Sequence, residues 1–250
     1  MLAELTELAP GGFEQIDGER FVEFAVYGAP GELPELPMGR ATVGGVTVEV
    51  SGAEIGDDWA DRWKAFHRPV TIGDRLHVRP PWTEPQADSI DIVIDPAQAF
   101  GTGAHPTTRM CLELLVDVTP RPLADLGCGS GVLSIAAAKL GFGPIVAVDN
   151  EVAAVEATRE NARVNGVTLE RIERVDLRRG PVPVESATVA NLVRPLLLEV
   201  AALLPEQPET LIVSGLLEGE EDEVAAAFEP LRERRRLRLQ GWSALLLTRP

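Results

Sequence analysis

From about residue 90 onward, short apolar runs alternate with stretches of helical periodicity, the pattern of strands and helices taking turns in a doubly wound sheet. It predicts strands near 91–94, 123–127, 145–149, 187–191, 210–214 and 243–248, and a weaker one near 171–176. Helices are predicted near 106–117, 131–140, 151–165, 194–204 and 218–229, with Asn165-Gly166 closing the third as a C-cap. Upstream the pattern changes. Leu2, Leu5 and Leu8 share a helical face that Pro10-Gly11-Gly12 stops. Phe21–Val26 reads as a strand and Thr42–Val50 contains another, with a Pro/Gly-rich acidic loop over 28–39 between them. In the next stretch, Asp57-Asp58 caps a short helix carrying Trp59, Trp63 and Phe66. Trp59 and Trp63 lie on one face, which either docks this stretch onto a domain or stacks on a substrate. Arg75–Arg79 reads as a strand ended by Pro80-Pro81. The organisation predicted is a small α+β unit over 1–55, a connector over 56–90 and an α/β domain over 91–250.

Composition narrows the function classes. The apolar runs are far shorter than the ~18–20 residues that span a bilayer, and the acidic N-terminus does not read as a secretory signal. Cys111 and Cys128 form neither a disulfide framework nor a zinc spacing, so no metal is expected and a reducing cytoplasm is the natural setting. A net charge of −16 argues against nucleic-acid binding and suits a basic protein partner. One basic run, Arg232–Arg238, reads as a solvated helix end or strand edge, with contact to RNA or an acidic partner as the alternative.

The chemistry concentrates after the predicted strand Leu123–Leu126. Gly127-Cys128-Gly129-Ser130-Gly131 follows at once, and then a helix, which places a ligand at the carboxyl edge of the sheet. Glycine allows a tight turn and a close approach of ligand to backbone. The spacing Gly-x-Gly-x-Gly differs from the Gly-x-Gly-x-x-Gly of dinucleotide sites and disfavours a nicotinamide oxidoreductase. It suits S-adenosylmethionine, a nucleoside without phosphate. Gly127 and Gly129 are candidate contacts, and Asp125 beside them is either ligand-facing and loop-organising or purely structural. Ile145–Val148 is a second strand ending in Asp149, 22 residues beyond Gly127, where a carboxylate accepts both ribose hydroxyls. Asp149 as a cap of the next helix is the alternative.

A second glycine-bearing stretch, Asp95–Thr108, runs into a helix with Pro106 among its first residues and reads as a capped loop or as a lid over the cofactor. Its Phe100-Gly101-Thr102-Gly103-Ala104-His105-Pro106-Thr107-Thr108 is the string that carries a family likeness. Together with Asp125–Gly131, Ala190-Asn191-Leu192, the connector's Trp59, Trp63 and Lys64, and Pro80-Pro81-Trp82, it resembles the bacterial ribosomal protein L11 methyltransferases of the PrmA type, over roughly residues 56–250. The resemblance implies a Rossmann-like, doubly wound, seven-stranded methyltransferase sheet behind a small N-terminal recognition domain. It carries S-adenosylmethionine contacts onto Thr108, Gly127, Asp149 and Asn191, and implies methylation of lysine and N-terminal amines of ribosomal protein L11. Two departures stand out. Met1 already begins the predicted first helix, where the family has a strand before it, so the start lies upstream or the recognition domain is reduced. After Asn191 comes Leu192-Val193-Arg194-Pro195, which offers no aromatic wall for an amine.

The acceptor amine must be neutral, and a lysine with a reference pKa near ~10.4 is almost wholly protonated at neutral pH unless desolvated beside a positive charge. His105 is the candidate for direct proton work, with shaping of the lid as the alternative, and Asn191 is the candidate for orienting the amine or a polar group of the cofactor, with satisfaction of backbone at the strand end as the alternative. Other readings are a methyltransferase of the same fold acting on another protein lysine or a small amine, and a non-catalytic S-adenosylmethionine-binding regulator.

Overall fold

The structure, a computed structural model, describes residues 9, 14–17, 22–26, 38–43, 45–52, 67–96 and 101–250. The chain divides into two compact units, Met1–Arg68 and Pro69–Pro250. The predicted helix over Leu2–Leu8 and the stretch with Trp59, Trp63, Lys64 and Phe66 lie outside the described residues, as does Phe100.

In the first unit, β1 (Glu14–Asp17) pairs antiparallel with β2 (Val22–Ala25), and β3 (Gly39–Val43) with β4 (Val46–Val50). β2 and β4 are the two strands that the apolar pattern predicts; β1 and β3 are not, because their mixed residues show no alternation to read.

The second unit opens with a three-stranded sheet: β5 (Val70–Ile72), β6 (Leu76–Arg79) and β7 (Ile90–Val93), with β6 and β7 parallel. Arg79 forks onto Asp91 across the last pair, at 2.7 and 2.9 Å. β7 is the strand predicted near 91–94, but it belongs to this small sheet and not to the large one.

The large sheet has seven strands: β8 (Leu123–Leu126), β9 (Ile145–Asp149), β10 (Arg171–Arg174), β11 (Ala187–Asn191), β12 (Thr210–Leu217), β13 (Arg232–Leu239) and β14 (Trp242–Thr248). Their order is β10-β9-β8-β11-β12-β14-β13, parallel except for β14, which runs antiparallel to both neighbours. The connecting helices are α1 (Pro106–Val116), α2 (Val132–Leu140), α3 (Val152–Val164), α4 (Arg194–Leu203) and α5 (Glu221–Ala227). The central strands are buried almost end to end, as strands covered on both faces must be, which is why they read as continuous apolar runs. Helix α3 ends at Asn165, and Gly166 follows in the left-handed region.

The seventh strand is therefore β13, the basic run. Its side chains carry no apolar period because it is an edge strand with no fully buried residue. Arg235 pairs with Glu113 of α1 and with its C-cap Asp117, Arg236 with Asp222 and Glu233, and Arg238 with Glu221 at 2.7 Å. Arg232–Arg238 is thus a strand edge, and three of its arginines are ion-paired within the unit.

Strands β8, β9 and β10 build outward on one side of β8 and β11 begins the other, so the order reverses between β8 and β11. At such a switch point the loops beyond the carboxyl ends diverge and leave a crevice. The glycine loop leaves β8 there.

Candidate active site

The loop Gly127–Gly131 is held almost entirely by the protein's own groups. The N–H groups of Gly127 and Cys128 donate to the carbonyl of Val148 at 2.8 and 3.0 Å, and that of Gly131 donates to Cys128 at 2.8 Å. The N–H of Gly129 donates to Asp149 Oδ2 at 2.9 Å. From α3, Thr158 Oγ1 donates to the carbonyl of Gly129 at 2.9 Å and Asn161 Nδ2 to that of Ser130 at 2.9 Å. Gly127 and Gly131 have φ of 77° and 81°. A Cβ on Gly127 would lie 2.4 Å from Leu192 Cδ2, and one on Gly131 would lie 2.9 Å from Thr158 Cγ2. At these two positions the left-handed backbone favours glycine and the protein's own packing adds to it, beside the ligand approach that the sequence suggests.

Asp149 is half-buried at the tip of β9. Its other oxygen, Oδ1, accepts from the N–H of Glu151 at 3.0 Å, at the entry to α3. It thus holds the start of the helix and the glycine loop together. Each carboxylate oxygen keeps a further lone pair, so helix entry and ligand binding are compatible roles.

Asp125 is fully buried. Its Oδ2 accepts from the N–H and the hydroxyl of Ser134 at 3.1 and 2.6 Å, organising the first turn of α2, while Oδ1 has no hydrogen-bond partner among the described residues. Burial pushes its carboxyl up to about 6; the Ser134 bonds oppose this and the charge of Asp149 adds to it. An unfolded aspartate titrates near ~3.9, so between about pH 4 and pH 6 the folded chain binds the extra proton and stability falls as pH rises. Asp125→Asn should remove that slope. Urea midpoints measured for both chains across this window check it: wild type should lose more stability than the variant as pH rises, and parallel curves would contradict the assignment.

The upstream loop reaches the same place. Ser130 Oγ donates to the carbonyl of Gly101 at 2.6 Å, and a Cβ on Gly103 would lie 2.8 Å from Val78 Cγ1. His105 is the N-cap of α1: its Nδ1 accepts from the N–H of Thr107 at 3.4 Å and lies 2.8 Å from the Thr107 hydroxyl. Its ring meets Trp242 edge-on at 5.1 Å, and burial lowers its pKa to about 4, so it is neutral at pH 7. With Nδ1 engaged in the cap, the observed contacts of His105 shape the loop. Thr108 is buried one residue further on, and its hydroxyl accepts from Asn191 Nδ2 at 3.4 Å. Asn191 sits at the tip of β11, in register with Ser214 of β12.

Two pairs, Gly129 with Asp149 and Thr108 with Asn191, therefore flank the carboxyl end of β8, the first at the tip of β9 and the second at the tip of β11. The side-chain bonds that support these pairs have no local sequence pattern. Asn161 of α3 anchors the loop, and Asn165, which the sequence shows only as part of the C-cap of that helix, holds the backbone of Val93 through Oδ1 and Nδ2 at 2.9 and 2.6 Å. An asparagine inside a helix, as at Asn161, is disfavoured unless its side chain bonds elsewhere.

Among known proteins, the family described as ribosomal protein L11 methyltransferase (PrmA) matches residues 40–250. A ribosomal protein L11 methyltransferase of Caldanaerobacter subterraneus subsp. tengcongensis is 39% identical over 207 residues, covering 80% of this chain and 66% of that protein. The crystal structure of a ribosomal protein L11 methylase from Lactobacillus delbrueckii subsp. bulgaricus superposes with a TM-score of 0.65 at 28% identity, covering 73% of this chain and 99% of that one. A tRNA (uracil-54, C5)-methyltransferase of Pyrococcus abyssi, solved with S-adenosyl-L-homocysteine, has a TM-score of 0.54 at 19% identity over 66% of this chain and 44% of that one, and shares the fold. The chain spans about two thirds of the length of the curated relatives it matches.

Proposed function

The chain belongs to the ribosomal protein L11 methyltransferase (PrmA) family, and from that premise we propose that it transfers methyl groups from S-adenosylmethionine to lysine side-chain and N-terminal amines of ribosomal protein L11. The observation that carries the reading is the placement of the Gly129–Asp149 and Thr108–Asn191 pairs on either side of the β8/β11 switch point.

The residues fit this cofactor better than a dinucleotide. A pyrophosphate site needs open N–H groups in its glycine loop; here those of Gly127, Cys128, Gly129 and Gly131 are bonded within the protein. Asp149 supplies acceptors for ribose hydroxyls, and Thr108, Gly127, Gly129 and Asn191 line the remainder. Asp125 acts from below, through Ser134 and α2.

Bound S-adenosylmethionine supplies a methyl group already activated on a sulfonium, so the protein's work is alignment of a neutral amine. In this reading the amide oxygen of Asn191 accepts from that amine while its Nδ2 stays on Thr108. His105 holds the loop and handles no proton. A chain of net charge −16 attracts a basic protein partner, and direct nucleic-acid contact is not required. No helix among the described residues is long and apolar enough to cross a membrane, and a ribosomal substrate implies work in the cytoplasm.

Incubation with purified ribosomal protein L11 and labelled S-adenosylmethionine, followed by peptide mass spectrometry, tests the proposal. Label on lysine and N-terminal amines is expected. Label on another protein of a lysate instead, or cofactor binding without any transfer, would replace it with one of the other two readings.

A further inference from the structure

The chain leaving β11 is seated on two glycines, Gly127 in the loop after β8 and Gly215 in β12. The N–H of Leu192 donates to the carbonyl of Ser214 at 3.0 Å, carrying the β11–β12 pairing one residue past Asn191. There β12 bulges: its register with β14 slips between Ser214 and Leu216, and Gly215 between them has φ 86°. A Cβ on Gly215 would lie 2.3 Å from the carbonyl oxygen of Leu192 and 2.7 Å from its carbonyl carbon. On the other side, the Leu192 side chain lies across Gly127, where a Cβ would stand 2.4 Å from Cδ2. Leu192 also packs against the central core. One residue thus has its backbone set into a bulge and its side chain set on the cofactor loop, directly after Asn191.

Bulges beside active sites re-aim a neighbouring segment. Here the segment is the strand tip carrying Asn191, and the surface it is aimed at is the first residue of the glycine loop. We propose that Gly215 and Leu192 are positioning residues for methyl transfer, the bulge admitting the Leu192 backbone and the Leu192 side chain fixing the spacing between Gly127 and Asn191. The proposal rests on the reading of this crevice as the S-adenosylmethionine site. Because ribose binding resides at Asp149, on β9, a change at Leu192 acts on alignment of the acceptor and leaves cofactor affinity largely intact.

The test uses the full chain, with S-adenosylmethionine affinity by calorimetry, kcat on ribosomal protein L11, and thermal melting to establish folding. Leu192→Ala should lower kcat by about tenfold or more, since small misplacements of reacting groups cost up to about a hundredfold. Its cofactor Kd should stay within about threefold, and Leu192→Met, which conserves volume, should recover most of the rate. Gly127→Ala and Gly215→Ala then separate the two contacts. The Gly127 clash is with a side chain, so adding Leu192→Ala should partly restore Gly127→Ala; the Gly215 clash is with backbone, so the same addition should leave Gly215→Ala impaired. A folded Leu192→Ala chain with wild-type kcat, or one losing cofactor affinity in step with kcat, overturns the proposal, as does equal rescue of both glycine variants. A wild-type chain that fails to bind S-adenosylmethionine sinks the functional reading itself, and this inference with it.

Discussion

Asp149→Ala is expected to weaken S-adenosylmethionine binding by about a hundredfold or more. Hydrogen bonds to a charged group contribute about 1.5–3 kcal/mol each, and two ribose bonds at about 1.4 kcal/mol per decade give at least two decades. The substitution also releases the N–H groups of Gly129 and Glu151, which Asp149 holds at 2.9 and 3.0 Å, so the loop loses its tie to β9 as the ligand loses its acceptor. Asp149→Asn separates the two effects. Its amide oxygen still accepts from one of those N–H groups, and its affinity should fall between wild type and alanine. Calorimetric titration of the three chains, with melting curves as the control for folding, decides it. Wild-type affinity in a folded Asp149→Ala chain would remove the ribose assignment and leave the helix-entry role alone.

The second large effect is expected at Asn191. Its Nδ2 is engaged with Thr108 and its oxygen is the group assigned to the acceptor amine. Alanine removes both, and two hydrogen bonds at about 1–1.5 kcal/mol each amount to about a hundredfold in kcat/KM for ribosomal protein L11. Asn191→Asp keeps an oxygen acceptor, so it should retain more activity than alanine. Thr108→Val removes only the partner of Nδ2 and should cost less than either. Initial rates over a range of L11 concentrations separate these cases. If Thr108→Val is as damaging as Asn191→Ala, Asn191 acts through the lid and not on the amine.

Much of this site was legible in the sequence because its parts are contiguous. The turn Gly127–Gly131 directly follows a buried strand, and Asp149 ends the next one, so a local pattern places both at the carboxyl edge of the sheet. Thr108 and Asn191 were located by family likeness, and the hydrogen bond between them spans 83 residues, which no local pattern encodes. The same limit hid Leu192. Nothing in Asn191-Leu192-Val193 announces that its backbone enters a bulge of β12, and Gly215 reads as an ordinary strand interruption until the neighbouring strand tip is in place. The count of seven strands came out as expected with one member exchanged. β7 has an apolar pattern but pairs with β6, while β13 has arginines where a buried strand has apolar residues, because only one of its edges is paired and its guanidiniums meet acids of α1 and α5. Periodicity reports burial, so edge strands of this kind escape it.

A crystal structure of the chain soaked with S-adenosyl-L-homocysteine tests the central claim most directly. The ribose hydroxyls should lie within hydrogen-bonding distance of the Asp149 carboxylate, with the sulfur in the crevice between the glycine loop and Asn191. Adenosine bound elsewhere, or an Asp149 carboxylate that touches only the N–H groups of Gly129 and Glu151, would contradict it.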